Sequence, residues 1–311
     1  MTLSVTEALR RRRMSGPPFD DGYRIALVAE GGAMRGVFAG GMVSAIEAED
    51  FADCFDLMIG TSAGACALAY LRAGQARSGT RMFYEDLNTG TFIRPRRVLS
   101  GGPLISIDYL VDKVFDGIKQ LDFPQLQRPG AALHATATDI DTAESVLLTG
   151  FEDPARALEI LRATARMPLL SGGPVALDGR QLLDGGLLAR VPVRRAIEMG
   201  ATHVLVILTQ RADNPALRTP PMGDRLLGYP VLSMRHGRQL TERIRAERAD
   251  YERFYADLSP TGESRIGEAL IHAVTPGRDA PKIGRTTQSG EVLRAGARHA
   301  EQRMRTALLE A

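Results

Sequence analysis

Cysteine, lysine, long apolar runs and net charge are all scarce in this chain, and each scarcity removes a class of answer. With only Cys54 and Cys66 in 311 residues, neither a disulfide framework nor a four-cysteine zinc centre can be built. Both thiols read as small buried hydrophobes. No uninterrupted apolar stretch approaches the roughly 18 residues that cross a bilayer, and the opening MTLSVTEALRRRRM lacks the apolar core of a signal peptide. The expectation is a cytoplasmic protein. Basic and acidic residues nearly cancel, 39 against 37, so the net charge of +2 is far from the footprint of a nucleic-acid binder. Lys113, Lys119 and Lys282 are the only lysines, so arginine supplies the other 36 of the 39 basic residues. Alongside abundant alanine and glycine, that skew reads as a GC-rich genome.

What remains is a composition of 44% hydrophobic and 24% charged residues, which is that of a soluble globular protein with a substantial core. Residues 1–23 read as a basic tail. In it, Ser4 and Glu7 have capping-box spacing for a short helix that runs into Arg10, Arg11, Arg12 and Arg13, ahead of the breaker SGPPFDDG. From residue 24 the pattern alternates: apolar 25–29, a glycine-rich turn, helical spacing over 37–49, apolar 55–59, a second glycine turn, and an apolar helix after Gly64. That order predicts an α/β fold with a mostly parallel sheet between helices. Residues 92–122 read as an insertion or lid. Strands are expected at 133–140 and 145–148, and Asp153 and Pro154 cap a helix to about residue 166. A hairpin over 175–183 follows, turning at Asp178 and Gly179 and ending in Asp184, Gly185 and Gly186. Further expectations are a helix over 193–199, a strand over 203–208, a loop over 211–230, a charged helix over 235–258, a strand near 270–274 and a last helix from Ser289. Residues 24–210 would form the catalytic domain, with 211–311 a loop plus a helical and strand extension packed on it.

The strongest local signal is Gly60-Thr61-Ser62-Ala63-Gly64, a G-x-S-x-G between an expected strand and an expected helix. Glycines at both ends allow a turn sharp enough to leave the Ser62 hydroxyl exposed as a nucleophile. Such a hydroxyl needs a base for its proton and donors for the oxyanion that develops. The glycine-rich turn Glu30-Gly31-Gly32-Ala33-Met34-Arg35-Gly36 offers backbone N–H groups and a fixed positive charge. Arg35 would favour anionic substrates or, equally, sit in a structural salt bridge. A dinucleotide loop is disfavoured, because Ala33 stands where G-x-G-x-x-G needs glycine and the next strand does not end in an acid. For the base, His203 and His272 lie in apolar runs, His134 lies in a strand, and His236 and His299 lie among arginines. Asp184 alone occupies a turn-like setting, where spacing leaves it either a general base or simply an Asp-Gly turn.

Taken together and in order, Gly31-Gly32-x-x-Arg35-Gly36, Gly60-x-Ser62-x-Gly64 and Asp184-Gly185-Gly186 resemble the patatin-like phospholipases, and a bacterial branch of them, over roughly residues 24–210. The resemblance implies a three-layer α/β/α sandwich and hydrolysis of fatty-acyl esters of lipids or phospholipids, with no metal or other cofactor. It implies Ser62 as nucleophile and Asp184 as base. Gly31, Gly32, Ala33, Arg35 and Gly36 would shape the oxyanion hole, Gly60 and Gly64 the nucleophile elbow, and Gly185 and Gly186 the proton-acceptor loop. One departure stands out: the family usually carries a third glycine at Ala33, and a positive φ there would strain alanine. Two other readings are an esterase or thioesterase of soluble esters, and a non-catalytic lipid-binding protein. For the latter, the Arg10 to Arg13 tail would provide a peripheral membrane contact.

Overall fold

The first strand, Ile25–Ala29 (β1), is buried on both faces, and alternate side chains enter different cores: Ile25, Leu27 and Ala29 one, Ala26 and Val28 the other. Two-sided burial is what the centre of a parallel sheet covered by helices requires. The computed structural model describes residues 3–211, 228–257 and 263–310. Its remaining strands are Leu57–Thr61 (β2), Ala132–Asp139 (β3), Glu144–Leu148 (β4), Val175–Leu177 (β5), Arg180–Asp184 (β6), His203–Ile207 (β7), Glu263–Ile266 (β8) and Ala269–Val274 (β9). They form one sheet in the order β5-β6-β3-β2-β1-β7-β9-β8, with β4 also paired to β3. The run β3-β2-β1-β7-β9 is parallel and the flanking pairs are antiparallel.

Helices cover both faces. Val37 and Phe38 of Gly36–Ala48, Leu68 of Ala63–Arg72, Ile160 of Pro154–Thr164 and Leu293 of Gly290–Leu309 join the larger core. Val193 and Ala196 of Val193–Glu198, with Tyr251 and Tyr255 of Arg238–Asp257, close the other. This is the mixed, mostly parallel three-layer arrangement expected from the alternating pattern.

Three local expectations need revision. β2 begins at Leu57 rather than 55 and runs through Gly60 to Thr61, because the Asp56 carboxylate is turned aside to accept the Ile25 N–H at 2.7 Å. β8 was not legible, being a short, polar, half-exposed edge strand. The charged helical stretch is two helices, Tyr229–His236 and Arg238–Asp257, divided at Gly237 with φ 85°. Most of the expected loop at 211–230 lies outside the described residues.

The N-terminal segment departs most from expectation, because it is not a tail. Ser4 and Glu7 do form the capping box, but the helix Val5–Ser15 that they start buries Val5, Ala8 and Leu9 in the larger core. Arg12 is 1% exposed. Its guanidinium pairs with Asp21 at 2.7 Å and Asp56 at 2.8 Å, and also donates to the Tyr23 and Cys54 carbonyls. The Arg10 Nε donates to the Leu308 carbonyl at 2.7 Å. A buried cation is tolerated only with its donors satisfied in this way. Arg10 and Arg12 therefore fasten this segment to the core, while Arg11 and Arg13 stay exposed.

Candidate active site

Strand β2 ends in a turn that holds Ser62 at φ 53°, ψ −124°, a strained conformation for any residue but glycine. The elbow survives because its neighbours allow no other path. A Cβ on Gly60 would stand 2.4 Å from Ala65 Cα, and one on Gly64 2.5 Å from the Ala29 carbonyl oxygen. The Ser62 N–H is fixed by Thr164 Oγ1 at 2.9 Å, which itself donates to the Thr136 carbonyl at 2.7 Å. Neither threonine was singled out from the sequence, since only the fold brings them to residue 62.

Strand β6 carries Asp184 to the same point. Ser62 Oγ donates to Asp184 Oδ2 at 2.7 Å, and Oδ1 accepts the Gly186 N–H at 2.7 Å. The backbone on either side is tied down, Asp184 N–H to the Arg166 carbonyl at 2.8 Å and Thr138 Oγ1 to the Asp184 carbonyl at 3.0 Å. Gly185 lies against Thr136, too close for a Cβ. Burial raises the Asp184 pKa, partly offset by the Ser62 hydroxyl, the Gly186 N–H and the charges of Arg285 and Arg190. A carboxylate so placed is a better proton acceptor than one in water. All five histidines are among the described residues, and none lines the cavity that holds Ser62.

The 31–36 turn follows β1 and packs on the elbow: a Cβ on Gly31 would meet Ser62 Cβ at 3.0 Å. The N–H groups of Met34, Arg35 and Gly36 are already used, by the Arg285 carbonyl, the Gly32 carbonyl and the Ala33 carbonyl respectively. Among the described residues, those of Gly31, Gly32 and Ala33 donate to nothing. Gly36, against Ala63 and Phe83, has a packing role. Ala33 does adopt a positive φ, 51°, so the departure from the three-glycine pattern carries strain of about 1–2 kcal/mol. Ala33→Gly removes that strain but loosens the unfolded chain by about 0.4–1 kcal/mol, so urea titration should find it more stable by up to ~1.6 kcal/mol. Ala33→Val, β-branched at the same φ, should be destabilised by more than that.

Arg35 is 8% exposed, its Nε has no hydrogen-bond partner, and it makes no ion pair among the described residues. That removes the structural salt bridge. Its charge faces a cavity of about 220 Å³ lined also by Ser62, Asp184, Gly31, Gly32, Ala33 and Gly186, together with Arg190, Arg248 and Arg285. On another side of Ser62 lies an apolar slot of about 30 Å³ between residues such as Met34, Phe83, Leu110 and Cys66. The Cys66 thiol there is pushed up to about 12 by burial, so it is a wall and no nucleophile. A larger cavity, about 460 Å³, lies between Val193 and the long helix and touches neither Ser62 nor Asp184.

Glu30, which precedes the turn, is wholly buried. Its carboxylate accepts the Thr209 N–H at 2.6 Å, the Gln210 N–H at 3.3 Å, and the hydroxyls of Tyr251 and Tyr255. Tyr251 also stacks under the Arg190 guanidinium at 4.6 Å. One ring thus touches both the 31–36 turn's anchor and the loop that follows Asp184. An acid ending an otherwise apolar buried strand was the available signal for this network.

Known proteins resemble the chain in both sequence and fold. It is 33% identical over 195 residues to the uncharacterised YjjU of Escherichia coli K12, which covers 62% of this chain and 53% of the relative. The chain thus spans about half the length of that curated relative. In fold it is similar to human GIVD cytosolic phospholipase A2 bound to methyl γ-linolenyl fluorophosphonate, with a TM-score of 0.51 at 14% identity, covering 98% of this chain and 61% of that one. The family profile described as Patatin-like phospholipase matches residues 27–197. With over half of its length matched, and the three motifs gathered round one cavity, the chain belongs to the patatin-like phospholipase family.

Proposed function

We propose that the protein is a serine acyl hydrolase acting on lipid esters. The hydrogen bond from Ser62 Oγ to Asp184 Oδ2, 2.7 Å at the end of a strained elbow, carries this reading. Ser62 Oγ attacks the acyl carbonyl carbon as its proton passes to Asp184. The carbonyl oxygen becomes an oxyanion held by the N–H groups of Gly31, Gly32 and Ala33. Collapse breaks the bond to the leaving alcohol, which takes the proton from Asp184, and leaves an acyl ester on Ser62. Water then attacks, giving its proton to Asp184, and the second collapse returns that proton to Ser62 and frees the fatty acid. Arg35 beside the cavity favours a substrate with a negative charge near the ester.

The size of the apolar slot favours a second reading. About 30 Å³ holds two or three water-sized groups, which suits a short acyl chain on a soluble ester. One experiment separates the two readings. Fluorophosphonate treatment should add one adduct at Ser62, and hydrolysis of micellar phosphatidylglycerol should then be compared with that of butyryl and palmitoyl esters of one chromogenic alcohol. Turnover of the micellar and palmitoyl substrates supports the lipid reading; turnover of the butyryl ester alone supports the soluble one. Absence of any adduct at Ser62 removes both.

A further inference from the structure

We propose that the excursion between Phe92 and Ile107 is a docking surface for an anionic lipid bilayer. It extends the hydrolase reading by naming the face on which lipid would be presented. Phe92 and Ile107 line the slot beside Ser62. Between them the chain makes a short antiparallel ladder: Ile93 bridges Ile105, and Arg94 N–H donates to the Leu104 carbonyl at 2.9 Å. The ladder is fastened to the cavity wall where Ile105 N–H donates to the Leu170 carbonyl at 2.9 Å. Its tip stands in solvent with Leu99 89% and Val98 55% exposed. Leu169, on the cavity wall, is 40% exposed.

Large apolar side chains held in water beside a cavity mouth signal an interaction surface. Charge decides which partner. From Asn88 to Ile107 the sequence has three arginines and no acid. Arg97 folds back onto the Phe92 carbonyl, while Arg94 and Arg96 are exposed and make no ion pair among the described residues. The nearest acids along the chain on either side, Asp86 and Asp108, are bound by Lys119 and by Arg162 and Arg166 respectively, so they do not cancel that charge. Apolar side chains flanked by unpaired arginines match the acyl boundary and anionic head groups of a bilayer. The N-terminal helix does not compete for this role. Arg12 bonds Tyr23, Asp56 and Cys54, which precede β1 and β2, whereas Ser62 lies past the other end of those strands.

The test is flotation of the full chain with vesicles of equal parts phosphatidylcholine and phosphatidylglycerol, and with phosphatidylcholine alone. The protein should bind the mixed vesicles and be released by salt. Arg94→Gln with Arg96→Gln should weaken binding by roughly 30-fold, about fivefold for each arginine. Val98→Ser with Leu99→Ser should weaken binding to both vesicle types. Arg11→Glu with Met14→Ser, on the N-terminal helix, should change nothing. All three pairs should keep wild-type turnover of a soluble butyryl ester. The proposal is overturned if the wild type ignores mixed vesicles, if neither loop pair reduces binding, if the helix pair abolishes it, or if the loop pairs lose soluble-ester turnover as fast as vesicle binding. Failure of the hydrolase reading shows separately, as absence of a fluorophosphonate adduct at Ser62, and leaves the vesicle result intact.

Discussion

Ser62→Ala should lower ester turnover by about 10⁴- to 10⁶-fold, the range seen when other serine hydrolases lose their nucleophile. The fold should not suffer, since alanine tolerates φ 53° no worse than serine does. Loss of activity with an unchanged unfolding temperature would therefore isolate the chemistry. Ser62→Gly sharpens the comparison: it should be equally inactive yet more stable than Ser62→Ala, because glycine alone enters that conformation freely. Retention of wild-type turnover by Ser62→Ala would remove Ser62 from the mechanism.

Asp184→Asn should cost about 10⁴-fold in turnover while making the protein more stable at neutral pH. The amide can still accept the Gly186 N–H but presents a donor to Ser62 Oγ, so the proton has nowhere to go. The stability gain follows from the raised pKa of Asp184, caused chiefly by burial. A carboxyl whose folded pKa exceeds its unfolded value contributes stability that is fully present below the unfolded pKa and lost as pH rises through the folded one. Above its unfolded pKa the wild type therefore loses stability, as ionising the buried acid becomes costly. Asparagine does not, and the gap in stability between the two should close as the pH falls. The same shift predicts that turnover, which needs the ionised form, declines at a pH above the ordinary carboxylate value of 3.8. An acid limb at that ordinary value, or an Asp184→Asn protein less stable than wild type, would show that burial does not govern this group.

What could be read from the sequence was whatever local chemistry determines. The elbow at residues 60–64 and the Asp184-Gly185-Gly186 turn are short strings whose glycines answer to contacts within a few ångströms. The parallel sheet was announced by apolar runs alternating with helical spacing. The polar partnerships across the chain were not legible. Four consecutive arginines look like a solvated run, and only folding reveals that Arg12 meets Asp21 and Asp56 at the starting ends of the central strands. Thr164 reaches the Ser62 N–H across 102 positions, a pairing no spacing rule anticipates. Strain at Ala33 depends on its φ, and that angle is a property of the turn's packing.

Glu30 has a consequence for what counts as the smallest working unit. The family match ends at residue 197, yet the donors that neutralise the Glu30 carboxylate come from residues 209, 210, 251 and 255. A fragment trimmed to the matched segment would keep Ser62, Asp184 and the 31–36 turn. It would also keep a buried carboxylate stripped of all four of these donors, immediately before the 31–36 turn. The boundary that sequence kinship draws therefore cuts away the support of the 31–36 turn, and the chain beyond it is the keel on which that turn rests.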